Sequence, residues 1–234
     1  MVDRGENVVP LLWLMYKLEA EAAKAGGALH YVLGNHEQYI LDGRCKSIAN
    51  KYYGTFYATN KGQKELWSSE SELGRWLRSK PVAVKVGSTL FMHAGLSPEF
   101  LSEDWTLEDI DRKAAKEFLM SSTEREKEGN IIFDRRGILF YRGLAKDMSN
   151  YDLGPKAEEK HVENLINTFG VEQVAIGHTI AEHIGYDYGG KVIRVDVHHS
   201  GGISEGLLVE NGALWRADIN GDRFVLDEVE VITN

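Results

Sequence analysis

Three times in this chain a short apolar run of strand type breaks off at an asparagine or histidine with a glycine close by. Leu29-His30-Tyr31-Val32-Leu33 runs into Gly34-Asn35-His36-Glu37, Phe91-Met92 into His93-Ala94-Gly95, and Ala175-Ile176 into Gly177-His178-Thr179. A strand-end loop that offers an amide oxygen or an imidazole suits a hydrolytic metal centre, because divalent cations accept neutral oxygen and nitrogen donors of this kind. Taken singly, each is ordinary: Asn-His-Glu is more often a turn, and a lone strand-end histidine is usually structural. Their recurrence points to a site.

Around these runs the periodicity alternates helix with strand for two-thirds of the chain and then turns to strands. Asn7 can cap a helix that admits Pro10 in its first turn and sets Val8, Leu11, Leu12, Met15, Leu18 and Ala22 at helical spacing, with Gly26-Gly27 ending it. Residues 28–33 then read as a strand, and such a unit needs a parallel partner, expected ahead of Met1. The polar stretch 42–64 reads as an excursion on the side of the site, 69–79 as a helix, and 82–86 with 89–93 as a hairpin turning at Gly87-Ser88. Residues 106–128 read as a charged, solvent-facing helical insertion, and 158–169 as a helix ended by Gly170. The segments 184–188, 191–197, 206–210, 213–217 and 224–231 read as an antiparallel meander. The expected fold is α/β, a two-sheet αβ sandwich with flanking helices and a C-terminal antiparallel meander, in a single domain over residues 1–234.

A net charge of −9 argues against a broad cationic surface for nucleic acid, while leaving room for a local basic pocket that takes one phosphate. The single cysteine, Cys45, excludes an intrachain disulfide and leans toward the cytoplasm. No Cys-x5-Arg loop surrounds it, so it reads as a packing residue. Neither a membrane-spanning run nor a signal peptide is visible, and no membrane partner is expected.

Together with Val2-Asp3-Arg4-Gly5, the three strand-end segments resemble the calcineurin-like metallophosphoesterases, in particular the serine/threonine phosphoprotein phosphatase branch that includes the bacterial, Shewanella-like enzymes. The resemblance implies metal-dependent hydrolysis of phosphate monoesters, on a phosphorylated protein or small-molecule substrate, with two divalent ions (Mn, Fe or Zn) in an intact member. It makes Asn35, His93 and His178 metal ligands, His36 the general acid for the leaving group, and Asp3 the carboxylate that orients His36. Arg4 and Arg142, the latter in Leu139-Phe140-Tyr141-Arg142-Gly143, become the pair that clamps the phosphate. Asp134-Arg135-Arg136 offers an alternative arginine.

The sequence departs from the family pattern in two places. The family block Gly-Asp-x-Val-Asp-Arg-Gly is cut at Met1, so its bridging aspartate and an earlier Gly-Asp-x-His-Gly block are missing. The domain is accordingly expected to be N-terminally incomplete and to bind at most one ion tightly. Ile180 follows Thr179 where many metallophosphoesterases place a second histidine, which favours the phosphoprotein phosphatase branch. His198-His199, after the strand ending in Val197, are a further candidate pair, but neighbours on a strand face opposite ways, so at most one of them faces the cleft and neither is counted among the ligands. Two other readings stay open: an inactive remnant or phosphate-binding module, and a phosphatase for dinucleoside polyphosphates or similar small molecules.

Overall fold

Two apolar strands that pair in parallel and stop level with one another set the architecture. The computed structural model describes residues 5–44, 48–102, 104–120, 123–125 and 130–229. Helix α1 (Val8–Lys24) starts at Asn7, whose carbonyl accepts the Leu11 N–H at 2.9 Å although its side chain makes no capping bond. It buries Val8 and Leu12, and Gly26, at φ +80°, ends it. Residues 28–33 are extended but form no ladder among the described residues. A strand exists only when a neighbour pairs with it, and here the Leu33 N–H donates at 2.9 Å to the carbonyl of Pro81.

The polar stretch expected to be an excursion is largely helical. After α2 (Asn35–Leu41) come α3 (Asn50–Thr59), α4 (Gln63–Leu66) and α5 (Glu72–Arg78). Ser71 caps α5 by accepting the Gly74 N–H. Strands β1 (Ala83–Val86) and β2 (Thr89–Met92) form the expected hairpin, pairing Val86 with Thr89 across Gly87-Ser88. Gly87 at φ +59° opens the two-residue turn, a place where glycine meets no steric penalty.

Helix α6 (Leu107–Leu119) is capped by Thr106 and Asp109 reciprocally. It is amphipathic rather than solvent-facing all round, since Ile110, Ala114 and Glu117 are buried. Residues 121, 122 and 126–128 of the expected insertion lie outside the described residues. Helix α7 (Glu159–Phe169) buries His161, Val162, Leu165 and Phe169 and ends on Gly170 in the left-handed region.

The remaining strands are β3 (Gln173–Ile176), β4 (Gly185–Asp187), β5 (Val192–Arg194), β6 (Glu205–Glu210), β7 (Ala213–Asp218) and β8 (Arg223–Val225). The first sheet has five strands in the order β1-β2-β3-β5-β4, and the second has three, β6-β7-β8. Pairs β2–β3 and β3–β5 are parallel, and β4–β5 is antiparallel. The C-terminal meander is therefore shorter than the sequence suggested. Only β6 to β8 form it, while β4 and β5 complete the first sheet, a long-range pairing that local alternation does not encode.

The main core gathers Leu12, Leu33, Leu77, Leu90, Ile138, Leu165 and Val174 with their neighbours. A smaller cluster of Ile184, Val197 and Leu226 packs with Leu207 and Leu214 and joins the two sheets. Among the described residues no helix is long and apolar enough to cross a membrane.

Candidate functional site

Parallel pairing delivers the histidines. Met92 pairs with Ile176 at the carboxyl ends of β2 and β3, so His93 and Gly177-His178 leave the sheet side by side, and the Gly177 N–H donates to the His93 carbonyl at 2.9 Å. Chemistry in open parallel sheets gathers beyond such strand ends. Asn35 reaches the same edge because the Leu33–Pro81 bond holds its chain beside the start of β1, which lies opposite the end of β2.

Gly34 permits the approach. A Cβ there would lie 2.8 Å from His93 Nδ1 and 2.8 Å from Glu37 Oε2. Asn35 opens α2, so the strand-end loop read from sequence is a helix start. The side chains of Asn35 and His36 diverge through helical rotation, not through an extended pleat. Glu37 locks this corner: one carboxylate oxygen accepts the Gly34 N–H at 2.8 Å and the other the Tyr31 hydroxyl at 2.8 Å. Burial alone would raise the Glu37 pKa, but the hydrogen bond from the Tyr31 hydroxyl works against that and the carboxyl is held low on balance.

At the centre, His93 Nε2 lies 2.8 Å from Asn35 Oδ1 and 3.1 Å from His178 Nδ1. Burial pushes the His93 pKa down to about 4, against the pull of Glu37. Burial also depresses His178, to about 2, with His93, Arg142 and His36 adding to it. Both imidazoles are therefore neutral near pH 7, with nitrogen lone pairs to offer. Two ligands bound at about 2.1 Å and at right angles are separated by about 3.0 Å, so spacings of 2.8 and 3.1 Å are compatible with neighbouring ligands around one ion as well as with hydrogen bonds. The set of one amide oxygen and two imidazole nitrogens fits a divalent cation. Among the described residues no group of three His, Cys, Asp or Glu side chains is placed to hold a metal.

Asn35 lines two openings. One, of about 250 Å³, is shared with Gly34, His36 and His93. The other is a cleft of about 840 Å³ that contains His178 and Arg142. Arg142 Nη1 donates to the His178 carbonyl at 2.6 Å and to Thr179 Oγ1 at 3.0 Å. The Ala94 and Gly95 N–H groups both bond the Ile138 carbonyl, so the loop leading to Arg142 is tied to the loop carrying His93. His36 is half-buried, edge-on to Tyr39 with 5.5 Å between ring centres. It is near enough to depress both His93 and His178.

Other candidates fall elsewhere. Asp3, Arg4 and Cys45 lie outside the described residues. Arg135 lines the large cleft with Arg142, whereas Arg136 points to the Asp152 carbonyl and Glu99. His198 and His199 are exposed at a short 3-10 turn, not on a strand. His161 is a buried structural histidine whose Nε2 meets the Leu96 carbonyl at 2.8 Å. Sequence reasoning missed the supporting role of Glu37, although its offset of three from Gly34 is a capping signal. It also missed Arg44 and Arg125, which reach the cleft only through tertiary packing.

The mixed α/β fold sets His93 and His178 just beyond the carboxyl ends of two parallel strands, with Asn35 against them at the start of α2. A profile described as calcineurin-like phosphoesterase matches residues 1–182, and the chain belongs to that family. It is 30% identical to an uncharacterised protein of Schizosaccharomyces pombe, over 78% of this chain and 54% of the relative. It is 22% identical to Shewanella-like protein phosphatase 2 of Arabidopsis thaliana, over 88% of this chain and 62% of the relative. A solved structure titled cold-active protein tyrosine phosphatase superposes with a TM-score of 0.87 at 32% identity, covering 97% of this chain and 65% of the other. Another, titled as that of a psychrophile Shewanella species, gives 0.84 at 30% identity, covering 96% of this chain and 66% of the other. The chain thus spans between about half and two-thirds of the length of these relatives.

Proposed function

We propose that this chain is a metal-dependent phosphomonoesterase of the phosphoprotein phosphatase type. The observation that carries the reading is the meeting of Asn35 Oδ1, His93 Nε2 and His178 Nδ1 within 3.1 Å of one another along two contacts, with Arg142 bonded to the backbone of His178. Asn35, His93 and His178 would hold a divalent ion (Mn, Fe or Zn), which would supply Lewis-acid polarisation of a phosphoryl oxygen. Arg142, with Nη1 engaged by the His178 carbonyl and Thr179, uses the rest of its fork on two phosphate oxygens. His36 protonates the departing oxygen. Arg4 as a second phosphate contact and Asp3 as the partner of His36 rest on the resemblance alone.

The resemblance read from the motifs favours phosphoserine and phosphothreonine. A second reading, phosphotyrosine, is favoured by the titles of the solved relatives at 30–32% identity. Turnover of p-nitrophenyl phosphate with added Mn²⁺, compared with His93→Ala and Arg142→Ala, tests the reading. Mn-dependent release lost in both variants is expected. Equal release from all three proteins overturns it, and no release from any, with phosphate still bound, favours the phosphate-binding module instead.

A further inference from the structure

The large cleft carries more positive charge than one phosphate requires. Among the described residues four arginines (Arg44, Arg125, Arg135 and Arg142) line it together with one carboxylate, Asp42, a net of three positive charges within a chain of net charge −9. A phosphate monoester brings roughly 1.5 to 2 negative charges near pH 7. Arg142, beside the metal-type cluster, is placed to meet it. Three guanidiniums remain.

Their placement is built rather than incidental. Asp42 is shared: its Oδ1 accepts Arg125 Nη1 and Nη2 at 3.2 Å each, and its Oδ2 pairs with Arg44 Nε at 3.1 Å. One carboxylate between two guanidiniums orients both and neutralises only one. Aromatic faces support them, with Arg125 3.5 Å from the Phe133 ring centre and Arg44 4.8 Å from that of Tyr39. Arg135 differs in being exposed.

The backbone under Arg135 is nonetheless fixed. The buried carboxylate of Glu117 accepts the Ile131 N–H at 2.7 and 2.9 Å and the Ile132 N–H at 2.9 Å. The Gly137 N–H closes the turn onto the Asp134 carbonyl at 3.0 Å, and a Cβ on Gly137 would collide with the Ile131 carbonyl at 2.0 Å. The turn presents an exposed cationic side chain from a backbone held by these bonds, so that on binding only the side chain has to be ordered.

Building on the phosphoesterase reading, we propose that Arg135, with the Asp42-bridged pair Arg44 and Arg125, forms a subsite for a second anionic group. The substrate it selects is a phosphopeptide with acidic residues flanking the phosphorylated one. A cluster of exposed charge pairs, each weak alone, sums to about a tenfold preference.

The test uses the chain as it stands and two fluorescent peptides, each with one phosphonomethyl-phenylalanine flanked on both sides by Asp or by Asn. Anisotropy titration should give about tenfold tighter binding of the Asp peptide at roughly 50 mM salt, fading at roughly 500 mM. Arg135→Gln should remove most of that preference and leave the Asn peptide unaffected. Equal affinity for the two peptides, or a preference that survives Arg135→Gln, overturns the proposal. So does displacement of the Asp peptide by a nucleoside triphosphate that binds more tightly than the peptide does, because the second group would then be a phosphate. Turnover of p-nitrophenyl phosphate in the same samples separates the two claims. Turnover without peptide discrimination sinks the subsite and leaves the phosphoesterase, and discrimination without turnover does the reverse.

Discussion

Arg142 donates through Nη1 to the carbonyl oxygen of His178 at 2.6 Å, and His178 holds a left-handed backbone at φ +62°. A non-glycine residue in that region costs about 1 kcal/mol or more and persists only where its surroundings hold it. Here the holder is the same arginine that is assigned to the substrate phosphate. The proposed metal site and the proposed phosphate site are therefore joined by one side chain.

That coupling predicts that Arg142→Ala weakens divalent-ion affinity as well as phosphate binding, by about tenfold or more, the usual effect of losing a group that orients a ligand. Titration calorimetry with Mn²⁺ measures it. Unchanged affinity would show that His178 keeps its geometry unaided.

His36 and Arg142 separate by leaving group. If His36 protonates the departing oxygen, His36→Asn should slow phosphoserine peptides more than p-nitrophenyl phosphate, whose leaving group needs no proton. General acids contribute about 10²- to 10⁴-fold, so the contrast is measurable. Arg142→Ala should slow both substrates alike. Equal slowing of both substrates in His36→Asn would move His36 from acid to positioning residue.

Glu37 joins Gly34 and Tyr31 at the corner where α2 begins. Glu37→Ala leaves a buried N–H and a buried hydroxyl without this partner and should cost about 3–4 kcal/mol, while Tyr31→Phe, which takes one hydrogen bond from a carboxylate still held by the Gly34 N–H, should cost about 1.5–2 kcal/mol. Urea denaturation midpoints rank the two. The reverse order would mean that the tyrosine, not the carboxylate, organises the turn.

Glu205 on β6 links the second sheet to the segment after β3. Burial would raise its pKa, but the Ile184 N–H, His183 and Arg216 lower it on balance. A carboxyl with a depressed folded-state pKa stabilises the fold above its unfolded pKa of about 4.3 and loses that contribution as pH falls below it. Thermal melts of Glu205→Gln should accordingly be less sensitive to pH below about 5 than those of the unaltered chain. Parallel curves would count against it.

The residues that carry the site were legible where chemistry and local pattern coincide. His93 and His178 end apolar strands beside glycine, and the structure sets them 3.1 Å apart. The Gly87-Ser88 hairpin and the Gly170 helix stop were equally plain, because each depends on backbone preferences of single residues. Asn35 stands against His93 but in another element than the one read, because seven residues of helix after an apolar run look like a loop. Residues 28–33 read as a strand from composition, yet pairing depends on a neighbour that composition does not specify. The same limit hid the membership of β4 and β5 in the first sheet. Arg44 and Arg125 join at Asp42 across 83 positions of sequence in the second case, a distance no local motif spans.

The central claim, that Asn35, His93 and His178 hold one divalent ion, is tested most directly by Mn²⁺ equilibrium binding to the purified chain after chelation and dialysis. Asn35→Ala and His178→Ala serve as controls, with circular dichroism confirming that each is folded. The account predicts about one tightly bound ion per chain and a loss of that binding in both variants. Undiminished binding in folded Asn35→Ala and His178→Ala would place the metal elsewhere and contradict it.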